Sequence, residues 1–133
     1  MKISQQKINF RDARGTISDI LDNVPVNAVT IITSKKGVAR GNHFHKKTIQ
    51  YTYIVSGRVR YLSRKGRGKV RSVLLPAGGL AISPPGEAHT VVALADTVFL
   101  SISQGPRHGL NYEADTYRLA VPLAPSPVKS PRR

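Results

Sequence analysis

The sequence contains no cysteine and no tryptophan, and only seven of its 133 residues are acidic. Without cysteine, a disulfide scaffold, a thiolate metal site and a cysteine nucleophile are excluded. No apolar run approaches the roughly 20 residues that span a bilayer, and the first residues lack the apolar core of a signal peptide. We therefore expect a cytoplasmic protein of one domain with no membrane partner.

Acidic residues are absent from residues 23–86, a segment that holds twelve of the 21 lysines and arginines. The net charge of the chain is +14. Seven of the twelve bases lie in residues 58–71, RVRYLSRKGRGKVR, where Arg58, Arg60 and Arg64 share the outward phase of a predicted strand. This excess of positive charge indicates an anionic partner: nucleic acid, an anionic membrane or a phosphorylated small molecule.

The basic segment 58–71 lacks the pattern of a nucleic-acid site. Tyr61 is its only aromatic residue, and no RNA-binding signature occurs in the chain. A strand that leads into a glycine-rich turn is more typical of a solvated hairpin, whose long side chains cover apolar surface. We therefore expect an anionic small molecule as the partner in preference to nucleic acid.

Short runs rich in Val, Ile, Thr and Tyr recur about every ten residues, separated by Gly, Pro, Asn or Asp. These runs are AVTIITS, TIQYTYIVSG, RVRYLS, KVRSVLLP, LAISPP, HTVVAL and TVFLSIS. The rhythm is typical of an all-β sandwich or barrel. Residues 16–24, TISDILDNV, differ because their apolar side chains have helical spacing, which predicts two turns of helix.

One predicted strand, TIQYTYIVSG, mixes polar and apolar residues on the face expected to line the interior. Gln50 and Thr52 alternate with Tyr51 and Tyr53 along it. Polar side chains inside a β-barrel indicate a ligand pocket more than a packed core.

The end of the chain has a different composition. Four prolines occur in the last dozen residues, and the final residues include three bases. Because proline cannot donate to a sheet ladder, we expect no strand after Thr116. We place the barrel domain at residues 1–119 and a Pro-rich basic tail at residues 120–133.

Histidine is scarce, and its placement is the most informative chemical feature. His43 and His45 are separated by one residue, so on a strand their imidazoles point to the same face. Gln50 lies five residues beyond His45, and His89 opens another predicted strand after a Pro-Pro-Gly turn. These residues predict a site for a cation or for a substrate that exchanges protons. The fourth histidine, His108, is predicted to lie in a loop.

The spacing of these residues resembles both conserved motifs of the cupin superfamily. The first motif corresponds to Gly37, His43-x-His45, Gln50 and Gly57, and the second to Gly78, Pro84-x-Gly86 and His89. The resemblance implies a single-domain cupin, a jelly-roll β-barrel with the motif residues at its mouth. Two positions depart from the pattern: Gln50 replaces the glutamate of the first motif, and Ala93 the closing asparagine of the second.

Two kinds of chemistry suit this residue set. His43, His45 and His89, with Gln50 as a neutral oxygen donor, could hold one divalent ion such as Zn²⁺, Fe²⁺, Ni²⁺ or Cu²⁺. An amide in place of a carboxylate weakens such a site. Without metal, His43 and His45 would transfer protons, and the other two residues would hydrogen-bond the substrate or each other. Both alternatives stay open at this point.

A narrower resemblance points to sugar chemistry. Phe10-x-Asp12-x-Arg14-Gly15, Arg40-Gly41-Asn42-His43 and the block from Pro84 to His89 resemble the dTDP-4-dehydrorhamnose 3,5-epimerases, which are metal-independent cupins. His43-Phe44-His45-Lys46-Lys47 followed by Gln50 resembles the nucleotide-linked 4-keto-6-deoxyhexose 3,4-ketoisomerases, whose HxH pair transfers the protons. The run from Gly41 to His45 also resembles the zinc-binding cupin domain of capsular polysaccharide biosynthesis reductases.

These resemblances favour an enzyme of polysaccharide or deoxysugar biosynthesis. They imply an isomerase or epimerase that acts on a nucleotide-linked 4-keto-6-deoxy sugar and requires no cofactor. We expect a homodimer, because open sheet edges are often protected by pairing. The alternatives are a metal-dependent oxygenase or hydrolase and a non-catalytic cupin that binds a metal or a small molecule. The chain lacks the additional catalytic histidine of the epimerases, since residues 46–49 supply none.

Roles follow from the chemistry of a 4-keto sugar, whose ketone acidifies the neighbouring C3 hydrogen. We expect His45 to act as the base, His43 as its partner, and Tyr51 or Tyr53 as the acid. Gln50 would contact the substrate. The residues expected to bind the diphosphate are Arg14, Arg40 and Lys47.

Overall fold

A computed structural model of the chain describes residues 1–107, 109–111 and 113–124. The prediction for His108 and most of the predicted basic tail, residues 125–133, lie outside the described residues. Within the described part of the chain, no helix is long and apolar enough to cross a membrane.

The described residues form twelve strands and a single 3-10 turn at Gly109–Asn111. The strands are β1 (Lys2–Gln5), β2 (Phe10–Asp12), β3 (Gly15–Ile17), β4 (Ala28–Ser34), β5 (Ala39–Phe44), β6 (Ile49–Ser56), β7 (Arg58–Lys65), β8 (Arg71–Pro76), β9 (Gly79–Ser83), β10 (Glu87–Ala93), β11 (Thr97–Gln104) and β12 (Tyr117–Arg118). The all-β prediction is confirmed. All seven runs named above are strands, β4 and β6 to β11.

Two five-stranded antiparallel sheets and one hairpin account for these strands. The first sheet has the order β1-β9-β6-β11-β4, the second has the order β12-β5-β10-β7-β8, and β2 pairs only with β3. Buried apolar side chains from both sheets meet between them. The main cluster consists of Ile54, Ala81 and Phe99 from the first sheet and Val59, Tyr61, Leu75 and Val91 from the second.

The helix predicted over residues 16–24 is wrong. Ile17 ends β3 and pairs with Phe10, and the residues that follow it are not helical. Ile20 and Leu21 instead pack on the outer face of the first sheet, against a cluster that includes Tyr51. Two turns of helix are too short to be stable alone, so this tertiary packing decides the conformation of the segment.

The prediction of no strand after Thr116 is also wrong. Tyr117 and Arg118 form β12, which pairs with Phe44 and His43 of β5. This strand precedes the prolines, so its backbone donors are free to join the sheet. Beyond it, the side-chain oxygen of Asn42 accepts hydrogen bonds from the backbone N–H groups at 123 and 124, at 2.8 and 3.2 Å. Asn42 thereby holds the chain as far as residue 124.

Candidate active site

Three imidazoles converge at one end of the space between the sheets. His43 on β5 is the register partner of His89 on β10, and His45 follows β5 directly. The ring centroid of His43 lies 4.8 Å from the ring centroid of His45 and 4.8 Å from that of His89. The ring centroids of His45 and His89 lie 5.3 Å apart. His45 and His89 are almost fully buried, with 2% and 1% of their surface exposed. The structure thus brings together the three histidines that the sequence singled out, and their role as a site stays a prediction.

The close approach of β5 to β10 depends on a glycine. A Cβ atom at Gly41 would lie 2.8 Å from the backbone oxygen of His89, and the φ angle of Gly41 is +107°. The ladder between β5 and β10 also shifts register between His89 and Thr90. A larger residue at position 41 would push β5 away from the strand that carries His89.

The first sheet supplies two polar partners from the opposite side. Gln50 on β6 and Ser83 on β9 are register partners, and both are buried. Gln50 Oε1 lies 3.1 Å from His45 Nε2, and Ser83 Oγ lies 3.0 Å from His89 Nδ1. The hydroxyl of Tyr61 lies 2.9 Å from Ser83 Oγ. Each of the two buried imidazoles is therefore oriented by a side chain from the facing sheet.

The hydrogen bonds of His45 suit both of its protonation states. Its Nδ1 lies 2.8 Å from the backbone oxygen of Asp115, and a carbonyl oxygen can only accept, so Nδ1 carries a proton. In the neutral ring, Nε2 is then a bare acceptor that the amide NH₂ group of Gln50 can face after a flip. In the charged ring, Nε2–H donates to Gln50 Oε1. His45 can therefore gain and lose a proton at Nε2 without losing a partner.

His43 and His89 form a neutral pair. Their Nε2 atoms lie 3.1 Å apart, which allows one proton between them. Burial, the charge of His89 and the charge of His45 lower the pKa of His43 to about 2. Burial and the charge of His45 lower the pKa of His89 to about 3. Both rings are therefore uncharged at neutral pH, and a neutral imidazole is the form that accepts a proton or binds a metal.

Asp115 holds the segment that follows His45. Its carboxylate accepts hydrogen bonds from the backbone N–H groups of Lys46, Lys47 and Thr48 at 2.9, 2.8 and 2.8 Å, and from the Thr48 hydroxyl at 2.9 Å. Burial alone would raise the pKa of Asp115, but these hydrogen bonds outweigh it and lower the pKa. Asp115 also adopts a left-handed φ of 54°. One residue thus fixes both the loop after His45 and the Nδ1 proton of that histidine.

The expectation that Tyr51 or Tyr53 supplies the acid is corrected by the geometry. Both side chains alternate with Gln50 along β6 and lie on the outer face of the first sheet. The hydroxyl of Tyr53 donates to the side-chain oxygen of Gln6. Among the described residues, the tyrosine that reaches the imidazoles is Tyr61, which is fully buried and whose ring stacks 6.2 Å from that of His89. Burial raises the pKa of Tyr61.

The structure does not bring Arg40 to the imidazoles. Its guanidinium donates to Ser34 Oγ at 2.7 Å and to the backbone oxygen of Thr33 at 2.9 Å. Thr33 pairs with Val98 on β11, whereas Gln50 pairs with Ser103 on the same strand. These two points are about 17 Å apart along β11, so Arg40 is bound toward the far end of the barrel.

Arg14 and Lys47 are also outside the cluster. The side chain of Arg14 is 85% exposed and forms an ion pair with Asp12 at 2.6 Å. Lys47 is exposed, although its backbone N–H binds Asp115 next to the site. The assignment of the diphosphate to Arg14, Arg40 and Lys47 stays a prediction.

Sequence reasoning missed two further cations near the cluster, Arg107 and Arg118. Arg118 on β12 is the register partner of His43, so the two side chains share a face. The positive charges of Arg118 and Arg107 contribute to the low pKa of His43. A signal for Arg118 existed only in the pairing of β12 with β5, which the proline-rich composition had argued against.

The three histidines also form a donor set that suits a divalent metal ion. One ring nitrogen from each of His43, His45 and His89 lies within 4.8 Å of the others. The Nδ1 atom of His43 is buried and has no hydrogen-bond partner among the described residues. Three imidazole nitrogens fit Zn²⁺ or another borderline divalent ion. Ligation would, however, replace the hydrogen bonds that now join His43 to His89 and His45 to Gln50.

Comparison with solved structures places the fold. The dTDP-4-dehydrorhamnose 3,5-epimerase from Sulfolobus tokodaii is 22% identical, with 81% of this chain and 72% of that chain covered and a TM-score of 0.70. The enzyme of the same name from Bacillus anthracis, with TDP and PPi bound, is 17% identical, with coverages of 97% and 86% and a TM-score of 0.74. These likenesses confirm the cupin jelly-roll fold.

A third solved structure, a 3,4-ketoisomerase, is also similar to this chain. The QdtA 3,4-ketoisomerase from Thermoanaerobacterium thermosaccharolyticum, a double mutant in complex with TDP, is 21% identical, with 89% of this chain and 86% of that chain covered and a TM-score of 0.73. No curated protein sequence gives a significant match. A family model described as Polysaccharide biosynthesis C-terminal domain matches residues 10–100. The chain therefore belongs to the polysaccharide biosynthesis C-terminal domain family.

Proposed function

We propose that this protein isomerises or epimerises a nucleotide-linked 4-keto-6-deoxy sugar by moving a proton at the carbon next to the ketone. The observation that carries the proposal is the convergence of neutral imidazoles at the barrel mouth, with His45 held by partners that suit it with and without an extra proton. The names of the similar structures, two epimerases of a dTDP-4-keto sugar and a 3,4-ketoisomerase, support this substrate class.

The reaction needs no cofactor. The sugar ketone acidifies the hydrogen on C3, and His45 Nε2 takes that proton while the C–H electron pair moves into an enediolate. The charged ring then donates Nδ1–H to Asp115 and Nε2–H to Gln50. Delivery of a second proton to C3 on the other face gives the epimer. Delivery to C4, with proton movement between the two oxygens, gives the shifted ketone. The chain from His43 through His89 and Ser83 to Tyr61 is placed to carry that second proton.

Solvent deuterium exchange tests this proposal. In D₂O we expect the protein to introduce deuterium at C3 of a dTDP-4-keto-6-deoxy sugar, observed by NMR. The variant His45→Gln, which keeps a polar side chain of similar size, should lose about 10²- to 10⁴-fold in exchange rate because the base is gone. Arg60→Ala, on the exposed face of β7, is the matched control and should exchange as the wild type does. Absence of exchange with every keto-sugar nucleotide tested would overturn this proposal and leave a metal-dependent cupin or a non-catalytic binding protein.

A second candidate is a metal-dependent cupin, either an oxygenase or a hydrolase. It is favoured by the three convergent ring nitrogens and by the Nδ1 atom of His43, for which the described part of the chain supplies no hydrogen-bond partner. His43, His45 and His89, with Gln50, would hold the ion, which would polarise a carbonyl group or activate a water molecule.

Elemental analysis separates the two candidates. If the proton-transfer proposal holds, we expect no stoichiometric divalent metal in the purified protein and unchanged deuterium exchange after chelation. One equivalent of metal that is lost in a His89→Ala variant would instead favour the second candidate. His45→Gln would not discriminate between them, because His45 belongs to both residue sets.

We further propose that the protein is a homodimer. Val29, Ile31 and Val55 lie on the outer face of the first sheet and are 62%, 68% and 47% exposed. β4 is also the edge strand of that sheet. A second copy that covered this apolar face would remove it from water and protect the edge. The cytoplasmic location expected from the sequence stays a prediction.

A further inference from the structure

The basic hairpin formed by β7 and β8 borders a cavity of about 630 Å³ that the proposed reaction does not use. One wall of the cavity is the hairpin, and the other is formed by the turn at residues 84–86 and by Glu87, the first residue of β10. The polar residues that line the cavity include Ser63, Lys65, Lys69, Arg71 and Glu87. The volume is in the ordinary range of small-molecule sites.

Three basic side chains border the cavity. Lys65, Lys69 and Arg71 line it, and none of the three forms an ion pair with another described residue. Three like charges around one space repel each other, so the arrangement is stabilised by an anion between them. Arg71 offers a planar donor fork that suits phosphate oxygens, and the lysines offer compact charges.

Glu87 adds a second requirement on the ligand. It is 6% exposed, and its Oε2 accepts a hydrogen bond from the Met1 amino group at 2.8 Å. Its Oε1 is buried without a hydrogen-bond partner among the described residues. A buried carboxylate oxygen without a partner carries a desolvation cost that a donor from a ligand would remove. A hydroxyl group is such a donor.

We propose that this cavity binds a phosphorylated small molecule that also carries a hydroxyl group, as a sugar phosphate or a nucleotide does. The phosphate would lie among Lys65, Lys69 and Arg71, and the hydroxyl would donate to Glu87 Oε1. The cavity adjoins the imidazoles: Ser63, which lines it, is the register partner of His89, and Gly86 donates its N–H to the backbone oxygen of His45. The side chains of His43, His45 and His89 are not part of its described lining. The proposal does not depend on the reaction assigned to the imidazoles.

Isothermal titration with three probes tests the site: inorganic phosphate, glucose 1-phosphate and TDP. We expect at least about tenfold weaker binding of all three to Lys65→Ala/Lys69→Ala than to the wild type. The matched control is Arg58→Ala/Arg60→Ala, which removes the same charge from the outward face of β7 and should bind as the wild type does. Of glucose 1-phosphate and TDP, the probe that binds more tightly identifies whether the phosphate comes from a sugar phosphate or from a nucleotide.

The preference for glucose 1-phosphate over inorganic phosphate tests the contact between the ligand hydroxyl and Glu87 Oε1. Glucose 1-phosphate should bind the wild type more tightly than inorganic phosphate does, and Glu87→Ala should reduce that preference. If this variant does not fold, the ratio of the two affinities in the wild type still decides the point. Equal losses in the two double variants would overturn the proposal in favour of general charge attraction. Loss of probe binding in His43→Ala, with none in Lys65→Ala/Lys69→Ala, would overturn it in favour of binding among the imidazoles.

Discussion

Acidification from about pH 6.5 to about pH 4 is expected to lower the free energy of unfolding by several kcal/mol. The pKa values of His43 and His89 in the folded chain are about 2 and about 3, because burial disfavours the charged rings. The unfolded chain takes up protons on both histidines from about pH 6.5 downward, whereas the folded chain does not. Each histidine therefore lowers stability by about 1 kcal/mol per pH unit across this window.

The size of this effect approaches the whole stability of an ordinary domain, about 5 to 15 kcal/mol. Urea unfolding followed by circular dichroism at a series of pH values measures it. We expect His89→Asn, whose side chain does not titrate, to show a shallower loss of stability with acid than the wild type shows. His43→Asn is the second variant, since His43 is less buried and its replacement disturbs the core less. Identical pH slopes in all three proteins would mean that neither histidine is held neutral.

Strand positions could be predicted from the sequence because each run carries its own signal. Residues 28–34, for example, alternate in exposure, and the predicted limits of AVTIITS match β4. The His43-x-His45 pair and His89 could be predicted too, since their spacing fits two motifs of a known family. In these cases the information lies within a few residues of the feature itself.

The partners of the histidines depend on register between distant strands, which no local pattern contains. Alternation along β6 already separates Tyr51 and Tyr53 from Gln50, so both could have been set aside as acids from the sequence alone. Tyr61 becomes the tyrosine of the site only because β7 pairs with β10 and because Ser83 reaches across from the other sheet. Long-range pairing of this kind is decided by tertiary packing.

Asp115 shows the same limit most clearly. It lies 70 residues from His45, beyond six further strands, and reaches the site because β12 adds to the edge of β5. Its sequence neighbourhood, close to the proline-rich end of the chain, indicates a loop. The hydrogen bonds that it accepts after His45 nevertheless make it the main support of the loop at residues 46–48.

Replacement of Asp115 by alanine is expected to cost about 3 kcal/mol of stability and at least about tenfold in deuterium exchange. The variant loses a charged acceptor for three backbone N–H groups and one hydroxyl. It also places alanine at a φ of 54°, which alanine adopts at a cost. His45 would then lose the fixed position of the carbonyl that holds its Nδ1 proton. Unfolding in urea and deuterium exchange at C3 measure the two effects.

Two matched variants separate the carboxylate from the backbone. Asp115→Asn tolerates the left-handed φ and keeps one acceptor oxygen, so we expect it to recover part of both losses. Asp115→Gly tolerates the φ but has no acceptor. We therefore expect it to recover only the part of the stability that alanine loses through its backbone conformation, and its exchange rate should stay low. Because the hydrogen bonds lower the pKa of Asp115, its contribution is present above about pH 4 and is lost below it. The histidine effect begins near pH 6.5, so the two contributions are lost in successive windows as acid is added. Equal exchange rates in wild type and Asp115→Gly would show that Asp115 supports the loop without positioning His45.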